Sequence, residues 1–293
     1  MADVIVVIAA GEMGAGIGKR LSERGARVLT SLKGRGAASA ARAKQANMIA
    51  VDDDKELIAG ANFILSVVPP GEAIALAERL KPAITAAASK PIYVDCNAVA
   101  PKTAERIGDV LAGTGCHYVD GGIIGGPPVP NYSPRLYVSG EAAREVQRLS
   151  DYGLQVRVLD GPIGAASALK MSYAGITKGL TAIGAAMMLG ASRAGCAPDL
   201  RQELSESQPQ LFAWLTRQVP RMYSKAYRWV AEMEEIAAFL EQDPGSSAMY
   251  AGMARLYERL AAGAAGQSPA LESEIEALSE FCREAPKPQS KAS

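Results

Sequence analysis

Lys170 is the one charged residue between Gly161 and Thr177. An ammonium in such an apolar stretch either opens into a cleft or is costly to hold. In a cleft, an ammonium donates a proton to a heteroatom and its neutral amine takes one back, which suits reactions that add or remove hydride at the adjoining carbon. Helical spacing puts Tyr173 at i+3 and Thr177 at i+7 on the face of Lys170. Tyr173 is a candidate proton relay or substrate contact, Thr177 a candidate substrate contact. Lys178, at i+8, is expected to be solvated.

A second candidate lies at the start of the chain. The apolar run Val4–Ile8 enters Ala9-Ala10-Gly11-Glu12-Met13-Gly14, and helical spacing follows. This is AxGxxG in place of GxGxxG. Gly11 lets backbone approach a pyrophosphate, Gly14 permits close helix–strand packing, and free helix N–H groups face the anion. Ala9 gives up the left-handed region and alters the turn. Gly11, Glu12, Met13 and Gly14 are therefore the expected cofactor contacts, with Val68 and Pro69 after a later strand. An NAD site carries an acid about 20 residues beyond the glycines. Here the chain reads Thr30-Ser31-Leu32-Lys33-Gly34-Arg35. Ser31, Lys33 and Arg35 suit a 2′-phosphate, so NADP, as NADPH or NADP+, is the expected cofactor.

These groups need a scaffold, and the first half of the chain alternates strand and helix patterns. Strands are predicted at Val4–Ile8, Arg27–Leu32, Met48–Val51, Asn62–Val68, Pro91–Asp95, Tyr118–Asp120, Pro134–Ser139 and Gln155–Leu159. Helices are predicted at Gly14–Arg24, Ala37–Ala46, Glu72–Leu80 and Lys102–Leu111. The rhythm predicts an α/β Rossmann-type, doubly wound parallel sheet over 1–160. From Ile163 to about Ala194 the pattern is helical throughout, a long interdomain helix. It opens an all-α C-terminal domain over 161–284, with further helices at Asp199–Leu204, Gln208–Tyr223, Lys225–Glu241, Ser247–Ala262 and Leu271–Glu284. The tail 285–293 is predicted to be disordered.

Four segments resemble the β-hydroxyacid dehydrogenase superfamily, which includes 6-phosphogluconate and 3-hydroxyisobutyrate dehydrogenases. They are the glycine turn, Asp95-Cys96-Asn97-Ala98-Val99-Ala100-Pro101, Asp120-Gly121-Gly122-Ile123-Ile124-Gly125-Gly126, and Gly161–Lys170. The resemblance implies that Lys170 is the catalytic lysine and that Asn97 contacts nicotinamide ribose or substrate. It also implies a substrate loop at Gly121, Gly122, Ile123 and Ile124. The helical half resembles a phosphogluconate-dehydrogenase-like branch whose C-terminal domain lacks an assigned role. Where the family has Ser this chain has Ile124, and where it has Asn this chain has Tyr173 and Ala174. A carboxylate left unpaired in such a pocket costs on the order of several kcal/mol, which argues against a small 3-hydroxy acid. The Asp-Gly-Gly-Ile-Ile segment also resembles imine reductases, whose members usually lack a lysine at this position.

The expected function is NADPH-linked interconversion of a carbonyl and an alcohol. Alternatives are C=N reduction with Tyr173 as proton donor, and a non-catalytic NADP-binding or sensor protein. Lys+Arg and Asp+Glu both total 31, so no basic excess exists for a nucleic-acid backbone. The four cysteines form no CxxC pair, and no metal site is expected. The start lacks the basic n-region of a secretory signal, and the apolar stretch Gly179–Ala191 is shorter than the roughly 20 residues of a membrane span. A cytoplasmic protein with a small-molecule substrate is expected. His117 and the aromatics Trp214, Tyr223, Tyr227 and Trp229 are expected to be structural. Gly175-xxx-Gly179 and Gly184 suggest close helix packing, and a homodimer through the helical domain is expected.

Overall fold

The computed structural model describes residues 2–283; the tail expected to be disordered lies outside them. The chain divides into two compact units, 1–171 and 172–293. The expected border at 160 precedes this division, which falls inside the long helix.

In the first unit the strands are β1 (Val4–Ile8), β2 (Arg27–Thr30), β3 (Ile49–Ala50), β4 (Phe63–Ser66), β5 (Ile92–Asp95), β6 (His117–Ile124), β7 (Arg135–Ser139) and β8 (Gln155–Val158). They form one sheet in the order β3-β2-β1-β4-β5-β6-β7-β8. The pairs are parallel except β6 with β7, which is antiparallel. Direction of winding reverses at β1, whose neighbours are β2 on one side and β4 on the other. In open α/β sheets ligands bind at that reversal, outside the carboxyl ends of the strands.

The helices of this unit are α1 (Glu12–Glu23), α2 (Ala37–Gln45), α3 (Asp54–Ile58), α4 (Ala73–Ala86) and α5 (Pro101–Leu111). Successive strand residues point to opposite faces, so continuous apolar strands feed two cores. Ile5, Val7, Phe63, Leu65 and Val94 pack on one face with Ile17 and Leu21 of α1. Val6, Ile8, Ile64 and Tyr93 pack on the other with α3, α4 and α5. Among the elements that differ from expectation are α3, β6 and a 3-10 helix at Ala143–Ser150. α3 is a five-residue helix too short to show a period, capped by Asp53, whose side chain accepts from the Lys55 and Glu56 N–H groups. Strand β6 runs on through Gly121 and Gly122 to Ile124, where a loop was expected.

Helix α6 (Ala165–Ala194) begins in the first unit and continues into the second, followed there by α7 (Ala197–Ser207), α8 (Pro209–Met222), α9 (Ala226–Phe239), α10 (Pro244–Ala264) and α11 (Pro269–Arg283). By length and composition α6 could cross a membrane, which the shorter stretch judged from sequence could not. Half of its apolar window is buried inside the protein, as in a core helix. The glycines of α6 do admit close neighbours. A Cβ at Gly175 would lie 3.0 Å from the Tyr250 hydroxyl of α10, and one at Gly184 would collide with Leu215 of α8. Lys178 is not solvated: it pairs with Glu232 of α9 and lies 5.1 Å from the centre of the Trp229 ring. Trp229 in turn meets Tyr257 edge to face at 5.2 Å, the structural role expected of it.

Candidate functional site

The turn between β1 and α1 separates the roles of its two glycines. A Cβ at Gly11 would meet nothing within 4 Å, whereas one at Gly14 would collide with the Ala9 carbonyl. Gly11 therefore leaves space for an anion before the first turn of α1, and Gly14 is required by packing. This fits a dinucleotide pyrophosphate. Glu12 is exposed and Met13 half-buried beside this opening.

The residues expected at a 2′-phosphate lie at and just beyond the end of β2. Ser31 is buried, and Lys33 and Arg35 are exposed. The Arg35 guanidinium holds Glu72 at 2.8 Å. Sequence reasoning missed two further arginines. Arg79 of α4 donates to Ser31 Oγ at 2.9 Å and pairs with Asp54 of α3. Arg42 of α2 donates to the Ala10 carbonyl at 3.1 Å, which ties it to the glycine turn. No local spacing links these residues; only the fold brings them together.

A row of polar side chains crosses the sheet at the carboxyl ends of β4 and β5. Ser66 faces Asp95, Asp95 faces Asp120, and Asp120 faces Ser139, each pair in register on neighbouring strands. None of the four is exposed to solvent. Asn97 closes the row at one end. Its side-chain carbonyl accepts from Val68 N–H at 2.6 Å, and its amide donates to Ser66 Oγ at 2.7 Å and to Asp95. Asn97 is buried, and these bonds lock the β4 and β5 ends together. Val68 is buried and its N–H is taken by the bond to Asn97, whereas Pro69 is exposed.

Burial, and next the neighbouring Asp120 carboxylate, push Asp95 up to about 8. Its Oδ2 has no hydrogen-bond partner among the described residues. Tyr93 and Tyr118, two residues earlier on the same strands, stand with ring centres 6.2 Å apart, and burial pushes both phenols up.

The start of α6 is fixed to this row. Asp120 accepts from Gly164 N–H at 2.9 Å, Ser167 N–H at 3.0 Å, Ser167 Oγ at 2.6 Å and Ser139 Oγ at 3.1 Å. One turn later stands Lys170. A Cβ at Gly122 would lie 2.9 Å from Lys170 Cβ and 3.0 Å from the Ala166 carbonyl. The lysine stem thus packs over β6 beyond the polar row. Lys170 is half-buried and forms no hydrogen bond or ion pair among the described residues.

Gly121, Gly122 and Ile123 are buried strand residues and not an open loop; a Cβ at Gly121 would lie 2.7 Å from the Asp95 carbonyl oxygen. Ile124 alone of this group is partly exposed. Thr177 Oγ1 donates back to the Tyr173 carbonyl at 2.9 Å, so its hydroxyl proton is already engaged. Tyr173 is 48% exposed and its hydroxyl forms no hydrogen bond among the described residues. His117 is exposed at the amino end of β6, beside a groove of about 1340 Å³ flanked by Glu105, Asp109, Glu141 and Arg144. That groove lies at the amino end of β6, beside the carboxyl ends of β7 and β8. Among the described residues no three His, Cys, Asp or Glu side chains come together as metal ligands.

Strand order, glycine turn and winding reversal define a Rossmann-type dinucleotide-binding domain. Residues 4–152 match the NAD binding domain of 6-phosphogluconate dehydrogenase, and the chain belongs to that family. Residues 191–260 match a domain of unknown function, DUF1932. A 28.5 kDa uncharacterised protein of Methanothermus fervidus is 28% identical over 214 residues, 73% of this chain and 81% of the relative. The fold is similar to 3-hydroxyisobutyrate dehydrogenase of Mycobacterium tuberculosis, solved with L-serine, at a TM-score of 0.71 and 16% identity, covering 89% of this chain and 94% of that one. It is also similar to an imine reductase of Myxococcus stipitatus in complex with NADP+, at 0.53 and 16%, covering 94% and 100%.

Proposed function

We propose that this protein is an NADPH-dependent oxidoreductase that interconverts a carbonyl and an alcohol on a small molecule, with Lys170 as general acid and base. The observation that carries the reading is the unpartnered Lys170 amine. It stands half-buried on a helix whose start is anchored to the sheet, with its stem packed on Gly122. When bound, the nicotinamide supplies a hydride to the substrate carbon, or accepts it in the reverse direction. Lys170 Nζ gives its proton to the oxygen as the C=O bond becomes a C–OH, and is left as the neutral amine. In oxidation the neutral amine takes the hydroxyl proton as the carbonyl forms.

Preference for NADPH rests on the end of β2, where Thr30 and Ser31 replace the usual acid and Lys33, Arg35 and Arg79 gather. The nearby carboxylates, Glu72 and Asp54, are each held by one of these arginines.

C=N reduction is the second reading. Gly121, Gly122, Ile123 and Ile124 offer no polar side chain to an anionic substrate, which favours a neutral imine over a hydroxy acid.

The test is a panel of hydroxy acids, ketones and cyclic imines followed by nicotinamide absorbance, with Lys170→Ala beside the natural chain. Loss of a positioned general acid is expected to lower kcat by roughly 10²–10⁴ and leave NADPH affinity in place. Carbonyl turnover undiminished in Lys170→Ala overturns the assignment. Tight NADPH binding without turnover anywhere on the panel marks a non-catalytic sensor.

We also infer that two copies associate through α6. Tyr173, Ile176, Leu180, Ile183 and Met187 recur at steps of three and four residues and are each at least 41% exposed. The side chains form a heptad-spaced apolar stripe, and Lys178 in the same stretch is turned to Glu232. A stripe of that spacing suits an identical helix as its partner.

A further inference from the structure

An α-helix leaves its first N–H groups without partners inside the helix, and something outside it must accept them. At α6 each is accounted for. Ala165 N–H donates to the Pro162 carbonyl at 3.1 Å, Ala166 N–H to Ser139 Oγ at 3.0 Å, and Gly164 and Ser167 N–H to Asp120. Three of these four bonds go to β6 and β7, not to the residues that precede the helix. The cap is therefore a tertiary contact, made 44 and 47 residues away along the chain. It fixes the height and rotation of α6 over β6.

Strand geometry then couples the cap to the lysine. Residues two apart on a strand share a face, so Asp120 and Gly122 both look towards α6. Asp120 holds the first turn, and Gly122 receives the Lys170 stem in the second. The positive end of the helix also faces the Asp120 carboxylate, which strengthens the hold. A rotation of α6 would carry Lys170 off Gly122 and redirect its amine.

We propose that Asp120, braced by Ser139 and Ser167, is a positioning residue for Lys170: its carboxylate sets the rotation at which α6 presents the amine. The inference rests on the reading of Lys170 as proton donor. Asp120 itself is fully buried. Asparagine at 120 has the same shape but loses the charge and replaces one of the two oxygens on which four donors converge. The hydroxyl of Ser167 is the second handle, since alanine removes it and threonine keeps it.

The experiment combines turnover with a direct probe of the amine. The chain is reductively methylated with ¹³C-formaldehyde, and the Lys170 methyl signal is assigned by its loss in Lys170→Arg. Asp120→Asn is expected to lower kcat by roughly ten- to a hundredfold, the cost of misplacing a reacting group by about 1 Å. KM and NADPH affinity stay within about threefold, as for loss of an interaction made only in the transition state. The Lys170 signal moves and the Lys33 signal does not. Ser167→Ala shows the same changes in smaller measure, and Ser167→Thr restores both readouts. If Asp120→Asn does not fold, the Ser167 pair decides, and identical behaviour of alanine and threonine overturns the proposal. An unmoved Lys170 signal in folded Asp120→Asn also overturns it, whatever happens to kcat. Should Lys170→Ala retain full turnover, the proton-donor reading falls, and the methyl signal alone still judges whether Asp120 orients the amine.

Discussion

Asp95 and Asp120 stand in register on neighbouring parallel strands, side by side on one face of the sheet and both fully buried. Their environments differ. Four donors converge on Asp120, whereas Asp95 accepts from Asn97 through Oδ1 and leaves Oδ2 without a partner. An unpartnered buried carboxylate oxygen is relieved by a proton, and Asp95 is the member of the pair pushed up to about 8.

This asymmetry gives a pH dependence of stability. Between the ordinary value of 3.8 and about 8, the folded chain keeps a proton on Asp95 that the unfolded chain has released. The contribution is complete below the unfolded value and is lost as pH rises through the folded one, by at most about 1.4 kcal/mol per pH unit. Asp95→Asn removes this titration. Thermal melts from pH 5 to 8 should show the natural chain losing Tm relative to the variant, and parallel curves would refute it.

Gly122→Ala tests the close approach of α6 to β6. The new methyl group would meet Lys170 Cβ at 2.9 Å and the Ala166 carbonyl at 3.0 Å, backbone and stem that cannot both retreat. Overpacking of this kind costs about 1–3 kcal/mol. We expect a lower Tm and weaker turnover with NADPH affinity retained. An unchanged Tm would mean that the helix yields freely.

The Arg35–Glu72 pair is exposed enough that a phosphate can displace it, since surface pairs contribute little. Arg35→Ala is expected to weaken NADPH binding about tenfold, or 1.4 kcal/mol, and leave NADH binding as it was. Glu72→Gln frees the guanidinium and tightens NADPH binding. Fluorescence titration with both cofactors measures this, and equal losses for NADPH and NADH would remove Arg35 from the phosphate site.

Ile176 and Ile183 are 63% and 48% exposed on the α6 stripe. A charge in a dry helix seam loses its hydration without a partner. Ile176→Glu with Ile183→Glu should give monomers by light scattering at concentrations where the natural chain is dimeric, with the far-UV spectrum unchanged. A natural chain that is monomeric throughout would dispose of the seam.

Much of the sheet was legible because its strands are continuous apolar runs, a pattern that needs no partner to be recognised. Lys170 was legible for the opposite reason, as a lone charge in an uncharged stretch. What escaped were relations between distant residues. The bonds of Asn97 to Val68 and Ser66 join residues 29 and 31 positions apart, and Lys178 reads as solvated until Glu232, 54 positions away, meets it. Gly121 and Gly122 resemble a loop because glycine is scarce in strands. Here the crowding of Asp95 and Lys170 against β6 requires them. Asp120 was noticed as part of a motif, but its role as the cap of α6 depends on a sheet register that no linear spacing reveals.

The boundary between the two compact units falls one residue past Lys170. On the proposed reading, the acid and the glycine turn therefore sit on one compact unit, joined by the sheet and by the first turns of α6 that Asp120 holds.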